Sequence, residues 1–341
     1  MQKKILFTFD YELFLGRESG QVDKSLIKPT KRLLRLLQKN DFKAIFFVDT
    51  VYLLRLKELA IIYAEAQNDY QEICDQLKEM HFAGHSIFLH IHPHWIDAIY
   101  NDRTNSWSLV NYSRYRFSSL GAVLQEDLFV RSVNILKEIL NDGKELLLDG
   151  YRAGGWSIQP FSMFQPFFDK YNIRYEFSVI PGKWYYSDAQ EYDYRTAPQK
   201  DRYNFSEDIC RENQQGQYIE YPISILELSR FIGILSDKFF VLLFKLGLSF
   251  IKHMGNGSTI HIDNESGDIY NVGKKRIVAS FESFDLISTY FQFKVIQRLD
   301  YCHFISHPKL LSPMNFYCAS WLLKRLKRET GLETDFRKFD A

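Results

Sequence analysis

The sequence predicts an α/β fold in which a parallel sheet closes, or nearly closes, into a barrel. Short apolar runs alternate with helical patterns along most of the chain, and seven or eight such units are present. The composition agrees: 341 residues with 46% hydrophobic and 25% charged side chains can bury a full core without staples. No internal repeat, low-complexity tract or proline-rich linker divides the chain, so residues 1–341 read as a single domain. Segments 98–120 and 181–217 are polar, aromatic and weakly periodic, and read as long loops over the top of the barrel.

The elements follow in order. Lys4–Phe9 is a first apolar strand. Lys28–Gln38 carries Leu33, Leu34, Leu36 and Leu37 at helical spacing, with Pro29 suited to the first turn. Lys43–Val48 is a second strand, rich in Ile, Phe and Val. A long amphipathic helix is expected from about Leu56 to Met80, then a third strand at Ser86–Leu89. The second half repeats the rhythm. Ala122–Leu140 is helical, and Leu146–Leu148 is a strand leading into Gly150. Phe161–Lys170 is helical, while Arg174–Ile180 and Tyr218–Ile223 are strands. Lys275–Phe281 and Cys302–Ser306 complete the strand set around a helical stretch at Ile287–Leu299. A basic amphipathic helix, Ala319–Glu329, precedes the tail.

Several function classes drop out. Lys and Arg number 43 against 42 Asp and Glu, which argues against a broad electrostatic footprint for nucleic acid or anionic membrane. Cys74, Cys210, Cys302 and Cys318 contain no C-x-x-C pair and read as reduced, mostly buried thiols. The run Ile5–Phe9 is too short for a signal-peptide core. The stretch Phe239–Ile251, cut by Lys245, is too short to span a bilayer. The expectation is a cytoplasmic protein with no transmembrane segment.

The sharpest chemical signal is histidine clustering. Five of the nine histidines (His81, His85, His90, His92 and His94) fall within residues 81–94. His90 and His94 are spaced i, i+4 directly after the apolar run Ile87-Phe-Leu, where a strand emerges into a tight turn at Pro93. Two imidazoles there can converge on one metal ion. The zincin pattern H-E-x-x-H fails, because Ile91 follows His90. A catalytic zinc-type site usually has three protein ligands and one open position. The first strand offers the third: period 2 puts Asp10 and Glu12 on the same side of an extended segment. One carboxylate can bind metal while its neighbour stays free as general base.

At these residues the sequence resembles the polysaccharide deacetylases, the NodB-homology group of carbohydrate esterases. Thr8-Phe9-Asp10-Tyr11-Glu12 resembles the family's Thr-Phe-Asp-Asp-Gly, and Ala44-Ile-Phe-Phe-Val48 its Ala-Thr-Phe-Phe-Val. Gly84-His85-Ser86-Ile87 through His90-Ile-His-Pro-His94 resembles the second motif, His-Ser/Thr-x-x-His. Tyr151-Arg-Ala-Gly-Gly-Trp156 resembles the third motif, and Phe304-Ile-Ser-His307-Pro308 the fifth. The likeness runs in the right order from about residue 4 to residue 310.

The resemblance implies a distorted (β/α)7 TIM-like barrel with its site at the strand ends. It implies metal-dependent removal of an N-acyl group from an amino sugar, with one divalent ion, zinc first. Tyr11 stands where most of the family has the metal-binding Asp; a family variant places that acid two residues after the base, where Glu12 stands. The implied ligands are then Glu12, His90 and His94. Asp10 is the base, Arg152 holds it ionised, His307 protonates the leaving amine, and Trp156 walls the sugar site. His85 and His92 are expected to be structural. Ile91 replaces the usual Ser/Thr, and no Asp-Trp motif is found in Phe177–Trp184, so His307 lacks an identified acidic partner. The expected substrate is an N-acylated sugar, nucleotide-linked, lipid-linked or oligosaccharide. Sugar deformylation on the same scaffold is an alternative, as is a degenerate barrel that binds glycan or a partner enzyme.

Overall fold

A computed structural model describes residues 2–339 except 142, 144–145, 260–261 and 271–272. Among the described residues seven parallel strands form the barrel: β1 (Lys3–Tyr11), β2 (Ile45–Asp49), β3 (Ser86–Ile91), β4 (Gly150–Ala153), β5 (Tyr175–Glu176), β6 (Tyr218–Glu220) and β7 (Tyr301–Ser306), and the two residues Leu332–Glu333 pair parallel with the start of β1. Each of β1 to β5 pairs with the next in chain order, and β7 returns to pair with β1. This is a distorted (β/α)7 barrel. Tyr203–Phe205 adds an antiparallel edge beyond β6.

The ladder stays open between β6 and β7, and single backbone bonds span the seam. Ser224 N–H donates to His303 O (3.1 Å), Ala279 N–H to Ser224 O (2.8 Å) and Ile305 N–H to Ala279 O (3.0 Å). Lys274–Val278, which overlaps the expected strand 275–281, is therefore not a barrel strand. It pairs antiparallel with Ile225–Ser229 in a separate ribbon.

Among the described residues eight α-helices pack around or beside the barrel: α1 (Lys28–Asn40), α2 (Thr50–Leu59), α3 (Ala64–Phe82), α4 (Ala122–Ile139), α5 (Gln165–Tyr171), α6 (Arg230–Lys245), α7 (Ser288–Ile296) and α8 (Pro313–Leu326). The helix expected over 56–80 is two helices, because the chain reverses at residues 60–63. α8 starts earlier than expected: Ser312 and Asn315 form a reciprocal capping box ahead of it. The segments expected as loops carry short hairpins, Ile99–Asn101 with Ser106–Ser108 and Lys183–Tyr186 with Glu191–Asp193.

Period 2 sorts the barrel's two faces. Ile5, Phe7 and Phe9 point outward into the main core under the helices. Leu6, Ile45, Phe47, Phe88, Phe177 and Tyr221 point inward and fill the floor, with Phe336 and Phe339 packed among them. One step up each strand, the inward positions turn polar: Thr8, Arg152 and His303. A further step brings Asp10, Glu12, His90 and His307 to the C-terminal mouth, where barrel sites sit.

Candidate metal centre

Asp10 sits near the end of β1, and Glu12 follows one residue beyond it. Both are buried. His90 lies in β3, and His92 stays extended just after it (φ −112°, ψ 92°). The alternation of the strand therefore continues through Phe88, His90 and His92. Pro93 then opens a single 3-10 turn, which carries His94 away from the alternation.

Three atoms converge. Glu12 Oε2 lies 2.9 Å from His92 Nε2 and 3.5 Å from His90 Nε2, and the two Nε2 atoms are 3.0 Å apart. Ligands of a tetrahedral zinc at about 2.0–2.1 Å stand about 3.3 Å from one another, so the triangle has the right size for one ion. The donor chemistry fits as well. His90 Nδ1 donates to the Arg152 carbonyl (2.8 Å), which leaves its Nε2 as a lone pair facing the triangle. Glu12 Oε2 is buried and makes no hydrogen bond. Among the described residues this trio is the group that can hold a metal.

His92 thus stands where the sequence reading put His94. The i, i+4 spacing assumes a turn beginning at His90, whereas β3 runs on to Ile91 and makes i, i+2 the relevant spacing. His94 instead stacks on Tyr115, with ring centroids 4.9 Å apart. Burial first, then His92, keeps its ring well below the usual histidine pKa and neutral.

Beside the trio, Arg152 Nη1 donates to Asp10 Oδ1 (2.6 Å). Its guanidinium lies 4.1 Å above the Phe47 ring. Burial would raise the Asp10 pKa, but Arg152, then His90 and His307, outweigh it and hold the carboxyl ionised. Arg152 Nη2 donates onward to Thr8 Oγ1 (2.8 Å) and to His303 Nε2 (3.0 Å). His303 Nδ1 in turn donates to the Tyr221 carbonyl (2.9 Å).

Across the mouth, His307 Nε2 lies 3.5 Å from Asp10 Oδ2 and 3.5 Å from Glu12 Oε1. Its acidic partner is Glu282: Oε1 accepts from His307 Nδ1 (2.9 Å) and from the His307 backbone N–H (2.5 Å). Burial lowers the His307 pKa, yet Glu282 and Asp10 more than offset this and raise it to about 10. The ring is an imidazolium at neutral pH.

Two participants escaped the sequence reading besides His92. Glu282 directly follows Ile277-Val-Ala-Ser-Phe281, a placement at the exit of an expected strand that could have marked it. Lys309 lies two residues past His307, and its buried ammonium donates to Glu12 Oε1 (2.8 Å) and to Leu13 O (2.6 Å). Burial would raise the Glu12 pKa, but Lys309 and then His92 hold it well below the usual range. Trp156 lies just past β4, half-buried against Ile180, Ile223 and Ile305.

No protein-family profile matches the chain, and no curated protein sequence does. Solved structures do. A candidate polysaccharide deacetylase from Mycobacterium smegmatis is similar over 98% of this chain and 87% of that one, at 12% identity and a TM-score of 0.46. PuuE allantoinase is similar over 97% and 87%, at 11% identity and a TM-score of 0.44. The polysaccharide deacetylase Bc1974 from Bacillus cereus is similar over 98% and 91%, at 11% identity and a TM-score of 0.39. The structural neighbours of this chain thus include polysaccharide deacetylases and an allantoinase.

Proposed function

We propose that the protein is a metal-dependent amide hydrolase that removes an N-acyl group from an amino sugar. One observation carries the reading: a buried carboxylate and two imidazoles converge beside an ionised Asp10, with a charged His307 opposite. Glu12, His90 and His92 would hold a divalent ion, with zinc suiting this oxygen and nitrogen set. Such an ion supplies Lewis-acid polarisation of the amide carbonyl.

The chain's own groups supply the proton transfers. Asp10 takes the proton of the attacking water, and Arg152 keeps that carboxylate aimed and ionised. The water oxygen bonds to the acyl carbon as the carbon–nitrogen bond breaks. His307 gives its proton to the departing nitrogen, and Glu282 orients the ring and stabilises its charged form. Trp156, just past β4, would flank a sugar ring. The motif likeness around Asp10, His90, Arg152 and His307 supports an N-acetylated sugar as substrate.

A second reading is a barrel that binds glycan without hydrolysing it. Lys309 favours it, since its ammonium already neutralises one oxygen of Glu12. Two measurements separate the readings: metal content of the purified protein, and acetate release across acetylated sugars, nucleotide sugars and chitooligosaccharides. Stoichiometric metal with acetate release is expected. A metal-free protein that releases no acetate after zinc is added would overturn the hydrolase.

A further inference from the structure

α6 presents an apolar surface to solvent. Phe231 is 72% exposed and Phe244 66%, and Ile234, Leu235, Val241 and Leu242 are exposed beside them. Only Gly233 of the helix is buried. The surface continues past the helix through Leu246, Leu248 and Phe250. A helix this apolar belongs in a core or against lipid, and a contiguous exposed apolar patch marks a binding surface.

The charges say which partner. Arg230, Lys238, Lys245 and Lys252 rise from this segment with no ion pair among the described residues. Asp237, its single acid, is already taken by Lys275 (2.6 Å). A second copy docked symmetrically through the same face would set these cations against themselves. An anionic bilayer complements both features: acyl chains for the phenylalanines and leucines, headgroup phosphates for the lysines. No helix among the described residues is long and apolar enough to cross a membrane, so α6 would lie along the surface.

Beneath α6 is a cavity of about 530 Å³ walled by Phe240, Val241, Ile251, Leu310 and Met314. Glu282, the carboxylate that holds His307, forms part of the same wall. Asp237, His253, Lys275 and Asp285 also line this space, which is mainly apolar over its wall and reaches the residue that holds His307.

We infer that the α6 face docks on an anionic bilayer and that the cavity receives the aliphatic part of a lipid-carried amino sugar, whose acylated nitrogen then faces His307. The substrate half of this inference rests on the hydrolase reading above; the docking half does not.

The test is flotation of the full chain with vesicles of phosphatidylcholine alone or with phosphatidylglycerol added. Flotation is expected only with phosphatidylglycerol and should weaken as salt rises. The double variants Phe231→Ser/Phe244→Ser and Lys238→Glu/Lys245→Glu should each lose at least about tenfold in vesicle affinity. Both should hydrolyse a short water-soluble N-acetyl sugar as the parent does. On an N-acetyl amino sugar bearing a long alkyl chain in those vesicles, their turnover should drop in parallel with binding.

A parent protein that stays in the aqueous layer overturns the docking, as do variants that float undiminished. Conversion of a dimer to a monomer by the same substitutions would assign the face to a second copy. Flotation without acetate release from either substrate would sink the hydrolase and leave the docking standing. Equal turnover of the alkylated sugar by parent and variants would overturn the substrate half.

Discussion

Arg152 serves the site from both of its ends. Its guanidinium holds Asp10, and its carbonyl fixes the tautomer of His90. Substitutions at the acids separate base from ligand. Glu12→Ala should purify with little zinc, because it removes the single carboxylate of the trio. Asp10→Asn should keep its zinc and lose about 10²–10⁴-fold in kcat, the usual worth of one general base. Metal analysis beside turnover checks both, and zinc retained by Glu12→Ala would reverse the two roles. A leaving amine needs a proton, whereas an activated phenyl ester hardly does. His307→Ala should therefore cost about 10²–10⁴-fold on an acetamide and far less on a phenyl acetate. Glu282→Gln should show the same split more mildly; equal losses on both substrates would make the pair structural.

At the scale of elements, the turn after β4 is the tightest support of the site. A Cβ on Gly154 would lie 2.4 Å from the Ile91 carbonyl oxygen and 2.9 Å from His92 Nδ1. Gly154→Ala should push the His92 ring out of the trio and weaken zinc affinity about 10–100-fold, with less effect on unfolding. Competition with a zinc chelator reads this directly; unchanged affinity would return His92 to a structural role. Most strands and their parity were legible in the sequence, since Asp10 and Glu12 share a face by the rule that also aligns His90 with His92, but the strand expected at Leu146–Leu148 begins only at Gly150. Pro93 disguised this by suggesting a turn that begins at His90. The reversal between α2 and α3 carries no glycine or proline, so periodicity ran straight through it. β5 is shorter than its apolar run because side chains replace the ladder. Arg152 Nε takes the Phe177 carbonyl, and Glu176 and Glu220 take the Ser178 and Val179 amides. Glu282 and Lys309 were hidden because only the folded barrel brings them to β1 and β7.

Two buried histidines each contribute stability that mild acid removes. Burial, then Lys43, lowers the His85 pKa to about 4, and burial, then Arg152, lowers that of His303 to about 3. Both fall below the unfolded value of about 6.5. As pH drops below 6.5 the unfolded chain takes up protons that the folded rings refuse, so stability is full above that point and declines toward pH 4. Each group contributes a slope of about 1.4 kcal/mol per pH unit in that window. His85 Nδ1 accepts from the Ala44 amide (3.1 Å), and His85→Asn can keep an acceptor there without the titration. Urea midpoints between pH 6.5 and 4 should fall less steeply in that variant; parallel slopes would remove His85 from the account. The return of β7 to β1 also sets an order of events during synthesis. Thr8 and His303, 295 residues apart in sequence, meet only after residue 303 has left the ribosome. Until then one edge of β1 is an open row of amides and carbonyls, and Asp10 and Glu12 await His307 and Lys309. A nascent chain therefore carries the complete trio of Glu12, His90 and His92 long before it carries His307.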